Sequence, residues 1–146
     1  MIRVRYSSRT TLFFEKLKVK KNRAKREAIY SVSGLIARSA KQSLRIRPGP
    51  SRPGAVPHAH TRGGLRVIRF AVDRNKSIIG PIRFARSRRY NEPAPHIHEF
   101  GKVVVDLRRG KVLKFAKRPF MSKTIERLGN KGLIPKTFSA KIARIV

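Results

Sequence analysis

Cysteine is absent from the chain, which excludes a disulfide framework and any thiolate-bound metal. Tryptophan is absent too, and 3 Tyr and 8 Phe make up the aromatic stock. Stacking platforms for single-stranded nucleic acid would compete with the core for those few rings. Acidic residues number only 7 in 146, too scattered to read a paired-carboxylate acid/base site. No Gly-x-Ser-x-Gly elbow and no Gly-x-x-x-x-Gly-Lys-Ser/Thr phosphate loop occurs. No apolar run approaches the roughly 18 residues of a membrane span. The opening Met-Ile-Arg-Val-Arg-Tyr holds no apolar stretch of signal-peptide length. These absences describe a chain that is not an enzyme, carries no cofactor and has no membrane partner.

What is abundant is positive charge: 37 Lys and Arg, for a formal net charge of +30. Residues 1–73 hold 18 of these cations and residues 74–146 hold 19, so the charge belongs to the whole surface rather than to a tail. Such an imbalance calls for a negative partner: nucleic acid, an acidic protein surface or an anionic membrane. Hydrophobic residues still make up 40%, enough for a core and too many for full disorder. The length fits one domain, 1–146.

Ala24, Ala28, Val32, Leu35, Ile36, Ala40 and Leu44 recur at spacings of three and four, which predicts a helix over 21–45. Ser39 and Ser43 extend its small-residue face, and Gly34 predicts a packing contact. Upstream, Leu12, Phe13 and Leu17 fit either a helical lead-in or a strand end. The Pro/Gly-rich stretch 46–64 reads as an extended loop. Residues 65–72 and 77–80 read as a hairpin around the turn Asp73–Lys76. A second basic loop covers 83–95. Strands are expected over 97–100, 103–107 and 112–115, with a turn at Arg108–Gly110. Pro119 is expected to open a helix with Phe120, Met121, Ile125 and Leu128 on its apolar side, ending at Gly129. The tail 133–146 reads as an assembly arm, either an amphipathic helix or a partner-binding strand. The sum is an α+β domain: a long N-terminal helix on a small antiparallel sheet, a Pro/Gly loop between them, and a C-terminal helix.

Two groups of residues stand out chemically. Lys16, Lys18, Lys20, Lys21, Arg23, Lys25 and Arg26 place seven cations in eleven residues. With Arg83, Arg86, Arg88 and Arg89 in the second loop, they suit phosphate contacts rather than base reading. The pairs His58/His60 and His96/His98, the latter beside Glu99, invite a metal reading, because residues two apart on a strand share a face. Against it, the first pair lies in a Pro-rich loop and no second carboxylate accompanies Glu99. No metal site is therefore assigned.

Three stretches, in order, resemble the tail-completion and head-to-tail joining proteins of long-tailed bacteriophages. The first is Ser51-Arg52-Pro53-Gly54-Ala55-Val56-Pro57-His58, running into Thr61-Arg62-Gly63-Gly64-Leu65-Arg66 and Ile68-Arg69-Phe70. The second is Ile79-Gly80-Pro81 with Ile97-His98-Glu99-Phe100-Gly101. The third is Arg118-Pro119-Phe120-Met121. Arg62 splits the family's Thr-Gly pair, and Val67 stands where serine is common. The resemblance spans about residues 20–135.

It implies a structural virion protein of the neck or tail top, assembled in the host cytoplasm as a six-fold or twelve-fold ring. Its neighbours would be portal, adaptor or tail-tube proteins, with non-specific contact to packaged DNA. In that setting Gly101 permits a tight turn or bulge. Phe120 and Met121 anchor the last helix on the sheet, and Glu99 pairs with Arg118 or with a neighbouring subunit. The competing readings are a ribosomal or other RNA-packing protein, from composition, and a metal-dependent nuclease, from the histidine pairs.

Overall fold

The small-residue stripe of the N-terminal half does form a helix, and it is longer than its periodicity predicts. The computed structural model describes residues 8–49, 51–59, 64–82 and 93–144, with side chains from residue 13 onward. Helix α1 spans Ser8–Ser43, about 54 Å at 1.5 Å per residue. The lead-in containing Leu12, Phe13 and Leu17 is thus helical, and the helix stops two residues short of the expected 45. Ala24, Ala28, Ile36, Ala37, Ala40 and Ser33 are buried along its C-terminal two-thirds. Val32 and Leu35 are only partly covered.

Strands β1, Ile68–Asp73, and β2, Lys76–Pro81, form the expected antiparallel hairpin, with Phe70 opposite Ile79. The residues ahead of it differ from expectation. Gly64–Arg66 is a 3-10 turn, so the strand begins at Ile68 rather than 65. The hairpin packs on α1. Ser33 Oγ donates to the Ile29 carbonyl at 2.7 Å and lies 2.6 Å from Ser77 Oγ. The Phe70 ring meets Tyr30 edge-on, with centroids 4.9 Å apart. It also lies 3.9 Å from where a Cβ on Gly34 would sit, so the packing contact expected at Gly34 is with Phe70.

The strand expected over 97–100 is a helix instead, α2, Ala94–Phe100. Two prolines explain it. Pro93 sits at the N-cap in an extended conformation, and Pro95 follows within the first turn, where a missing N–H costs nothing. Residues 94 and 95 therefore leave the expected loop 83–95, and 83–92 lie outside the described residues. Strands β3, Lys102–Asp106, and β4, Lys111–Phe115, follow as a second antiparallel hairpin. Among the described residues the single sheet expected is thus two separate two-stranded sheets. Only the first packs extensively on α1.

Helix α3 spans Met121–Asn130 and α4 spans Leu133–Ala143. Pro119 precedes α3 rather than opening it. Gly129 does not stop it; the break falls at Gly132, with φ 63°, a left-handed conformation that glycine adopts without penalty. Thr124 and Leu128 are buried on α3, whereas Ile125 is 45% exposed and lies off the packed face. The tail is helical over Leu133–Ala143 and packs against α1, so this part of the expected arm is engaged with its own chain. Among the described residues no helix is long and apolar enough to cross a membrane.

Candidate assembly junction and basic face

The Pro/Gly loop, Ile97-His98-Glu99-Phe100-Gly101 and Arg118-Pro119-Phe120-Met121 meet at the start of α3, whereas Ile79-Gly80-Pro81 lies apart on β2. That helix has no Ser, Thr, Asp or Asn at its N-cap, which is Phe120, and no acid in its first turn. Its leading amides need acceptors from elsewhere. Glu99, at the end of α2, supplies them. Its Oε2 accepts from the amides of Phe120 at 2.9 Å and Met121 at 3.1 Å. Its Oε1 accepts from the amide and hydroxyl of Ser122, at 2.8 and 2.6 Å. A carboxylate here also meets the positive end of the helix dipole. Burial pushes the Glu99 carboxyl upward, but the hydrogen bonds from Ser122, Phe120 and Met121 outweigh it and hold it below the ordinary range.

The expected Glu99–Arg118 pair is therefore replaced. Arg118 Nε donates to the Ser51 carbonyl at 3.1 Å, and its amide donates to the His98 carbonyl at 2.7 Å. The Pro/Gly loop is tied in at the same point. The Gly54 amide donates to the Lys117 carbonyl at 2.9 Å, and Lys123 Nζ donates to the Gly54 carbonyl. Pro53 beside it is exposed. Gly101 has φ 68°, and a Cβ on it would sit 2.9 Å from the Lys117 nitrogen. Both the conformation and the space require glycine, as the tight-turn reading of Gly101 anticipates.

Phe120 lies beneath this junction, 1% exposed, in a cluster with Leu44 and Ala59 and with Val56, Leu65, Ile68 and Met121 at its edge. Among the described residues the cluster draws mainly on the end of α1 and the loop, with Ile68 its one strand residue, so the anchoring expected on the sheet falls largely on α1 and the loop. Within the loop's described residues, a parallel bridge joins Ile46 to Ala59. His58 Nδ1 lies 3.3 Å from the Gly49 carbonyl. Gly64 takes φ 58° at the start of the 3-10 turn that carries Leu65. Phe100 is 64% exposed, its ring 5.0 Å from that of His96.

Residues 96 and 98 sit on a helix, where positions two apart do not share a face, so the strand-based metal reading loses its premise. His60 lies outside the described residues. Among those described, no group of three or more His, Asp and Glu could hold a metal.

The seven cations Lys16, Lys18, Lys20, Lys21, Arg23, Lys25 and Arg26 are all exposed on α1. Arg23 pairs with Glu27 at 3.0 Å, an exposed contact of little energetic weight. Arg83, Arg86, Arg88 and Arg89 lie outside the described residues. Three junction residues escape the sequence reading: Lys117, Ser122 and Lys123. Ser122 alone leaves a signal. A helix start without its own cap implies a distant acceptor; Asp106 is the nearest acid upstream in sequence and Glu99 the next.

Protein-family models, curated proteins and solved structures all yield no match to this chain.

Proposed function

We propose that this chain is a non-catalytic structural protein of a bacteriophage neck or tail top, joining head to tail around the DNA channel. The observation that carries the reading is convergence. The Pro/Gly loop, the His-Glu-Phe-Gly stretch and the Arg-Pro-Phe-Met stretch are far apart in sequence, yet they are hydrogen-bonded into one junction. A structural motif shared with that family would bring these stretches together in this way. In this reading the protein forms a homo-oligomeric ring, six-fold or twelve-fold, against portal, adaptor or tail-tube proteins. Its positive surface faces acidic neighbours or the passing genome. Diffuse contacts to phosphate suit a genome that must slide.

The exposed cations of α1, in a chain of net charge +30, favour one competitor: an RNA-packing protein. Light scattering with the absorbance ratio of purified protein, at low and at about 1 M salt, separates the two. A discrete ring that survives high salt without nucleic acid supports the neck reading. A monomer that holds RNA until salt strips it off overturns it.

A further inference from the structure

We propose that a cleft at the C-terminal end of α1 binds the phosphodiester backbone of a nucleic-acid strand. The cleft has a volume of about 420 Å³, and Gln42, Arg45, Arg47, His58 and Arg127 line it without a single acid. Its cations come from two places in the chain: Arg45 and Arg47 just beyond α1, and Arg127 from α3. A cation near a helix C-terminus offsets the helix dipole. That effect accounts for each arginine alone and does not require all three to share one cleft.

The wall carrying two of them is fixed. The Ala59 amide donates to the Arg45 carbonyl at 2.9 Å, and the Arg47 amide donates to the Ala59 carbonyl at 3.3 Å. The bridge stands on buried Leu44 and Ala59, so the extended backbone is held by the core. Positions two apart on such a backbone point the same way, about 6.6 Å apart. Among the described residues, none of the three guanidinium groups forms an ion pair. Each therefore keeps its planar fork of donors free for phosphate oxygens. A second cleft of about 490 Å³ adjoins, sharing Ser43, Val56 and Arg127 and adding Asn130 and Lys131, with Glu126 its one acid. The two together form a track, which suits a chain of phosphates better than one small anion. Base edges have no dedicated reader here, so binding is independent of sequence. The inference stands apart from the neck reading, since such a track would serve packaged DNA or RNA alike.

The test uses the full chain and a labelled poly-dT oligonucleotide of about 20 nucleotides. Two variants are matched in charge: Arg45→Gln with Arg47→Gln and Arg127→Gln, and Lys16→Gln with Lys18→Gln and Lys20→Gln. At about 0.15 M salt the cleft variant should lose about tenfold more affinity than the α1 variant. Replacing the same three arginines by lysine keeps the charge but removes the fork, and should still weaken binding several-fold. Equal losses in the two glutamine variants, with wild-type binding by the lysine variant, would overturn the proposal in favour of a diffuse field. Displacement of the oligonucleotide by millimolar inorganic phosphate at constant ionic strength would overturn it in favour of a small-anion site. All six positions are exposed, and thermal unfolding checks that each variant is folded.

Discussion

Glu99 and Ser122 are joined twice, the Ser122 amide and hydroxyl both donating to Oε1. This side-chain-to-helix clamp replaces a local N-cap on α3, and it couples α2 to α3 across 23 residues of sequence. Glu99→Ala strips acceptors from three backbone amides at once. The expected loss is about 1–3 kcal/mol, read from denaturant unfolding. Ser122→Ala removes only the hydroxyl contact and should cost about 1 kcal/mol or less. A Glu99→Ala protein as stable as wild type would show that water caps α3 equally well.

The same clamp sets a pH dependence. The folded carboxyl of Glu99 is held below its ordinary value, so the folded state favours the charged form. Its contribution is fully present above the unfolded value of about 4.3 and is lost as pH falls through the lower folded value. Wild type should therefore lose stability relative to Glu99→Gln as the medium is acidified below about pH 4. Parallel pH profiles for the two proteins would remove Glu99 as the cause.

Gly101 allows neither a side chain nor another conformation. Its φ of 68° with ψ of 149° lies where essentially only glycine is found, at a strain of about 1–3 kcal/mol for other residues. An added Cβ would also press on Lys117 backbone. Gly101→Ala should destabilise by more than that strain alone, and should loosen the Glu99 clamp next to it. Thermal unfolding, together with amide exchange at Phe120 and Met121, reads both effects.

The elements that were legible in the sequence are those whose signal is local. The alanine stripe of α1, the Asp73–Lys76 turn and the Val-rich β3–β4 hairpin each carry their period in consecutive residues. The segment 94–100 misleads because Ile97 between two histidines mimics strand alternation, while Pro93 and Pro95 set a helix start. The junction is the opposite case. Its partners, Glu99 with Ser122 and Gly54 with Lys117, depend on the tertiary path of the chain and leave no periodic trace. The three arginines of the cleft are equally invisible, because in a chain this basic one more arginine carries no signal until the fold brings it beside others.

Ser33 and Ser77 offer a cleaner energetic measurement. Ser33 Oγ lies 2.7 Å from the Ile29 carbonyl and 2.6 Å from Ser77 Oγ. A hydroxyl has one proton, so with Ser33 donating to Ile29, Ser77 donates to Ser33. Ser33→Ala deletes the acceptor of Ser77 at a buried site and should cost about 1–2 kcal/mol. Ser77→Ala leaves Ser33 still satisfied by its own helix and should cost less. The double mutant should show a coupling of at least about 0.5 kcal/mol; additive losses would mean the hydroxyls do not interact.

Gly34 leads to a prediction of opposite sign. Its place on the α1 face against Phe70 suggests a glycine kept for close approach. Yet a Cβ there would meet the Phe70 ring at 3.9 Å, an ordinary van der Waals distance. The backbone is helical, so alanine fits both the space and the conformation. Gly34→Ala should then stabilise the protein by about 0.5–1 kcal/mol, through helix propensity and a less flexible unfolded chain. A raised unfolding midpoint with an unchanged denaturant slope would bear this out. A destabilised variant would mean that α1 and the β1–β2 hairpin approach more closely in solution than 3.9 Å allows, and that the glycine is kept for that contact.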